Sequence, residues 1–170
     1  MRTLVATILL AAALAGAAQA ASPLDAFAPF GGKTFRGTFT DPGGKVMTDV
    51  SHWEMILGGK AVRSVHSLND GEYGGETLIF MDGERQGLAF VYVTTAGFRT
   101  EGTIEVVDDG FTSHEVVKGD AGGITEVRAT AKLLPDGTMT MVSEFLQGGQ
   151  WKPGHTITYV EDPLAEVLFR

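Results

Sequence analysis

Four histidines, His52, His66, His114 and His155, are the side chains best able to hold a metal or move a proton, and they fall on four different candidate strands. None forms an HxH or HExxH pair, so a metal site would have to be assembled from distant parts of the chain, and no metal is expected. There is no cysteine, which removes redox thiols, disulfides and a lipid-bearing cysteine alike. No GxSxG elbow or phosphate-cradling glycine loop is present, and the glycines fall where hairpins need them. Two acid–base pairs are conceivable: Glu54 with Glu76, and His155 with Tyr159 along "GHTITYV". Nothing in their spacing selects them over carboxylates on a solvated face, so no catalytic residue is assigned.

One stretch has more to offer. In "VYVTTAGFRTEG", Val91 to Gly102, two threonines sit between a hydrophobic strand and a strand of alternating polarity. A two-residue loop Ala96-Gly97 would put alanine where positive φ is favoured. A three-residue loop Thr95-Ala96-Gly97 puts glycine at the left-handed position instead. That loop sets Thr94 opposite Phe98, Tyr92 opposite Thr100, Phe90 opposite Gly102 and Leu88 opposite Ile104, with each pair on one face. Phe90 then lies across the gap left by Gly102. Such a wall is apolar below and hydroxyl-bearing above, as suits a pocket for a small, mostly hydrophobic ligand. The candidate ligand-binding residues are Phe90, Tyr92, Thr94, Phe98 and Thr100, with His66 or His155 orienting a polar end. The alternative is a barrel core filled by its own side chains.

The elements that would position these residues are strands. Glycine- and aspartate-rich turns recur at Gly58-Gly59, Asp70-Gly71, Asp82-Gly83, Ala96-Gly97, Asp109-Gly110, Gly119 to Gly123, Pro135-Asp136-Gly137 and Gly148-Gly149. They separate ten β-rich runs, from "TFRGTFT" to "HTITYV". Short strands at this spacing predict an all-β antiparallel meander closing into a sandwich or barrel. "FRTEGTIEV" and "ITEVRATAKLL" alternate as half-buried strands, whereas "LAFVYV" is apolar on both faces. Its outer face, Ala89, Val91 and Val93, needs a cover: the segment around Phe27 and Phe30, or a second subunit in a homodimer. "SPLDAFAPF" and "DPLAEVLF" are each expected to form a short helical turn.

At the N-terminus, Arg2, the apolar run from Leu4 to about Ala15 and the small-x-small Ala18-Gln19-Ala20 have the form of a secretory signal peptide over 1–20, cleaved after Ala20. The apolar run falls short of the ~20 residues of a membrane span. Residues 21–170 then form a single domain, long enough for a substantial core. Without Arg2 it carries 12 basic against 21 acidic residues, net −9, and no basic cluster, which argues against nucleic acid and anionic membrane as partners. The expected location is the periplasm or the medium.

The run "YGGETLIFMDGERQGLAFVYVTTAGFRTEGTIE", Tyr73 to Glu105, resembles a group of exported bacterial proteins with a lipocalin-like domain of unknown function. These are grouped with calycin barrels, beside nitrobindin-like haem-binding and fatty-acid-binding-like folds, and the resemblance extends from Leu24 to about Glu161. "GGKTFRGTF" looks like the opening strand of such barrels, with Phe35 where a tryptophan commonly follows a glycine. The resemblance implies a lipocalin-like (calycin) barrel of roughly ten strands. It also implies haem as the one cofactor to weigh, because nitrobindin-like barrels hold it through a histidine near the C-terminal end, here His155. The residues themselves call for no cofactor. The function expected is that of a binding protein for a small hydrophobic or amphipathic molecule. The alternatives are a barrel-mouth isomerase or hydrolase, and a filled-barrel interaction module.

Overall fold

The structure, a computed structural model, describes residues 22–41 and 43–170. The leader expected over 1–20 lies outside the described residues. Ten antiparallel strands follow in chain order: β1 (Lys33–Thr40), β2 (Val46–Ile56), β3 (Ala61–Leu68), β4 (Tyr73–Asp82), β5 (Gly87–Thr94), β6 (Arg99–Val107), β7 (Gly110–Lys118), β8 (Ile124–Leu133), β9 (Met139–Gln147) and β10 (Gln150–Glu161). Each pairs with its neighbours, and β10 returns to β1, closing the barrel with no free edge. The expected meander is therefore present, strand for strand.

Closure sorts the side chains by alternation. Phe35, Trp53, Val62, Ile79, Leu88, Phe90, Ile104, Phe111, Ala131 and Met139 point inward and fill one end of the lumen. A 3-10 helix (Pro23–Phe30) stoppers that end. It starts at Ser22, whose Oγ accepts from Leu24 N at 3.3 Å while Asp25 Oδ2 accepts from Ser22 N at 2.8 Å, and Pro23 presets the first turn. In a 3-10 helix residues three apart eclipse one another, so Leu24, Phe27 and Phe30 form one apolar row. All three are at most 3% exposed. Phe27 stacks on Trp53 with ring centres 6.1 Å apart and meets Phe111 at 5.2 Å, and Phe30 meets Phe35 and Trp53. Burying three such side chains contributes about 1.5–3 kcal/mol each as an upper bound.

Two expectations are corrected here. Phe27 and Phe30 do not cover the outer face of β5, because an open barrel end offers them a deeper apolar surface than a sheet exterior does. Ala89 is buried, Val91 half-buried and Val93 exposed. The C-terminal "DPLAEVLF" forms no helix: after a turn at Asp162 it runs extended along the outside of the barrel. There Leu168 N donates to Ser67 Oγ at 3.1 Å, and Ala165, Val50 and Val65 are buried. This strap is why β2 and β3 are buried on both faces around Asp49–Ser51 and Ser64–Val65.

Candidate ligand-binding lumen

The hairpin at Thr95-Ala96-Gly97 has the three-residue geometry. Gly97 N donates to Thr94 O at 3.2 Å, Thr94 N donates to Phe98 O at 3.2 Å, and Gly97 has φ +86°. Leu88 pairs with Ile104, Phe90 with Gly102 and Tyr92 with Thr100. A Cβ on Gly102 would lie 2.7 Å from the Phe90 ring, so the glycine makes the space that Phe90 occupies. Phe90 belongs to the filled end of the lumen. Phe98 is half-buried at the rim, and the Thr94 hydroxyl is engaged with Phe98 O at 2.8 Å, so these two close the turn.

Tyr92 and His66 lead into a polar chain at the open end. Tyr92 leans diagonally across Gly75, where any Cβ would overlap its ring, and so reaches from β5 past β4 to β3. Its Oη lies 2.7 Å from His66 Nε2 and 2.9 Å from Tyr73 Oη. His66 Nδ1 donates to Asp49 Oδ1 at 2.9 Å. Tyr159 makes the matching move on the other side. It crosses Gly37, where a Cβ would be 2.9 Å from its Cδ1, and donates to Asp49 Oδ2. Two glycines thus let two tyrosines reach an acid–imidazole pair lying two strands away. In the tautomer that carries its proton on Nδ1, Tyr73 donates to Tyr92, Tyr92 to Nε2, and Nδ1 to Asp49. All three tyrosines of the chain belong to this network. Burial pushes each hydroxyl above the ordinary tyrosine value, so they stay protonated and act as donors.

Thr100, opposite Tyr92, is buried and donates to Glu115 on β7. Burial, opposed by the Thr100 bond and by His114, pushes the Glu115 carboxyl above the usual range. Along the inner wall Glu115 faces Val127, and Val127 faces Phe145. Phe145 and His155 line a mouth pocket of about 400 Å³, together with Thr40, Ile124 and Lys152. The His155 ring sits 4.3 Å from Phe39 and 5.4 Å from Phe145, centre to centre. Burial lowers its pKa against the opposing charges of Asp49 and Asp41. A half-buried imidazole held neutral beside aromatic walls has the chemistry of an axial haem ligand, and to that extent the residues fit. A second groove, about 520 Å³, lies on the outside of the barrel across β6–β10, where Arg128 covers Trp151 and pairs with Glu144.

Of the residues expected from sequence, His66 and Tyr92 bond each other with Thr100 paired beside them, His155 lies apart from them at the same open end, Thr94 and Phe98 stand at its rim, and Phe90 lies in the packed core. Glu54 and Glu76 do not enter the barrel: both are on the outer face, held by Arg63 at 2.7 and 2.8 Å. His155 and Tyr159 both face inward but do not pair: Tyr159 bonds Asp49, and the His155 ring packs against Phe39 and Phe145. His52 meets Thr34 at 2.9 Å, and His114 meets Glu126 at 2.7 Å. Among the described residues no three His, Asp or Glu side chains cluster as a metal site requires. Asp49, Tyr73 and Glu115 are additions from the structure. Their signal was the pairing of inward-phase glycines, Gly37 and Gly75, with nearby tyrosines.

These features define a class: a closed ten-strand antiparallel barrel, solid at one end and polar and open at the other. Its fold is similar to the crystal structure of Rv2717c from M. tuberculosis, with TM-score 0.58, 14% identity, and 83% of this chain and 98% of that one covered. At that identity the likeness carries the fold alone. No protein-family model and no curated protein matches the chain.

Proposed function

We propose that this chain is an exported barrel that binds a small apolar or amphipathic molecule in the open half of its lumen. The observation that carries the reading is the asymmetry of the interior. One end is filled by aromatic packing and a helical stopper, while the other holds a hydrogen-bonded chain ending at half-buried Tyr73, and at that same end a pocket of about 400 Å³ opens between Phe145 and His155. Phe39, Val127 and Phe145 would contact the apolar body. Tyr73, Thr100, Glu115 and His155 would meet the polar end. Native mass spectrometry of the protein purified from its own secretory route tests this. A retained molecule released on denaturation is expected. A protein that comes out empty and binds no lipophilic dye saturably would leave the filled-barrel module as the better account.

Export rests on the leader-like residues 1–20 and is checked by N-terminal sequencing, which should begin at Ala21. Haem is one ligand to test, because the His155 imidazole is neutral and makes no hydrogen bond to a described residue through its ring. His155 would hold the iron, and Phe39 and Phe145 would flank the ring. A Soret band lost in His155→Ala is the expected sign. The barrel-mouth enzyme is the second reading, favoured by the Asp49–His66–Tyr92–Tyr73 chain, in which Tyr73 would take up a substrate proton while its own passes through Tyr92 to His66.

A further inference from the structure

We infer that the lumen is selective by charge, and that the polar end of its ligand is an ammonium received by Glu115 rather than a carboxylate or phosphate. The inference rests on the lumenal binding reading above.

In the open half of the lumen the inward positions include two acids, Asp49 and Glu115, and no Lys or Arg short of Lys152 at the rim, while Lys33 and Glu161, in the same phase at the stoppered end, pair with each other at 3.0 Å. Lys152 is exposed, with its ammonium bonded to Gln147 Oε1 at 2.8 Å. Cations elsewhere on the barrel are paired on its outside: Arg63 with Glu54 and Glu76, Arg36 with Asp162, Arg128 with Glu144. An anionic head would therefore enter a space with two carboxyl groups and no compensating charge, at a cost of several kcal/mol if left unpaired.

The two acids differ in what they still need. Both Asp49 oxygens are taken, by His66 and by Tyr159. Glu115 has one side-chain donor, Thr100, and no cation within ion-pair distance among the described residues. Its environment is built rather than incidental. Gly102 stands between Phe90 and Glu115, and a Cβ there would lie 2.8 Å from Glu115 Cβ, so the missing side chain makes room for the carboxyl arm. From Glu115 the inner wall continues across Val127 to Phe145, two strands away. At ~4.8 Å per strand that is about 10 Å, the reach of a short alkyl or aryl tail. An ammonium at Glu115 would have Thr100 beside it on β6 and Tyr92 one strand further along the wall. The apolar tail would lie on Val127 and Phe145 towards the mouth.

Displacement of the neutral dye N-phenyl-1-naphthylamine at neutral pH, by octylamine, octanol and octanoate, tests this in the full mature chain. Octylamine is expected to displace the dye at a concentration at least about tenfold below octanol, as a charge-assisted bond requires, with octanoate weaker than both. Glu115→Gln should abolish the preference, bringing octylamine to within about twofold of octanol measured on the same variant, with the thermal melt reporting that the variant is folded. Octanoate or octanol displacing as well as octylamine would overturn the inference, and so would an amine preference that survives Glu115→Gln. If the dye does not bind at all, the lumenal reading itself fails, which is a separate outcome.

Discussion

Replacing Tyr92 by phenylalanine is the sharpest test of the polar chain, because it removes one oxygen and leaves the ring over Gly75 in place. That oxygen makes two bonds, 2.7 Å to His66 Nε2 and 2.9 Å to Tyr73 Oη. Its loss leaves an imidazole nitrogen without a donor and a tyrosine hydroxyl without that acceptor, both in a partly desolvated lumen. At roughly 1–2 kcal/mol for each stranded group, the variant should lose about 2–4 kcal/mol. Tyr73→Phe removes one bond at the end of the chain and leaves Tyr92 still donating to His66, so about 0.5–1.5 kcal/mol is expected. In a domain of this size 1 kcal/mol moves Tm by about 2–4 °C, so the two variants should separate clearly in thermal melts and in urea titrations of unchanged slope. The double variant should cost no more than Tyr92→Phe alone, since the hydroxyl stranded by the first change is removed by the second. Equal costs for the two single variants, or strictly additive costs in the double, would refute the chain as drawn.

Further expectations concern pH, burial and turns. Because burial raises all three tyrosines above 10.0, their contribution to stability is complete below that value and lost as pH rises beyond it. Tyrosinate absorbance should therefore appear only together with alkaline unfolding, and a tyrosine titrating in the folded barrel would contradict the network. Glu115 is also raised, above 4.5, so its contribution is present in acid and lost as pH rises through the folded value. Glu115→Gln should thus raise Tm at neutral pH and bring no gain in strong acid; a fall at neutral pH would mean that a cation already faces Glu115. Phe27→Ala, in the helical stopper, should cost about 3–5 kcal/mol by urea titration, and a cost near zero would show that the barrel end holds without it. Gly97→Val should destabilise by about 1–2 kcal/mol, since φ +86° strains a β-branched residue, whereas Leu57→Asn should stabilise by up to about 1 kcal/mol at an exposed φ of 53°; melts of both variants check the pair.

The ten strands and their order were legible in the sequence because each is a local statement: alternation with period two, bounded by residues that tolerate a turn. The hairpin register was legible for the same reason, since Gly97 admits one loop length and the loop length dictates which residues face each other. Local alternation does not say which face of a strand is enclosed when both are covered. The C-terminal strap buries Val50 and Val65 on the outside of strands whose inner faces carry Asp49, Ser64 and His66, so burial on both faces hid the inward phase and Asp49 did not stand out. The stopper's helical turn was visible in "SPLDAFAPF", but its place was not, because an apolar row fits a barrel end or a sheet face equally well until the barrel is closed. The polar chain itself belongs wholly to tertiary structure. Asp49, His66, Tyr92 and Tyr159 lie on β2, β3, β5 and β10, up to 110 residues apart in the chain, and come within bonding distance only after closure brings β10 back to β1. The gaps at Gly37 and Gly75 have meaning only in that register, where each missing side chain lets a tyrosine ring cross the strand between it and its partner.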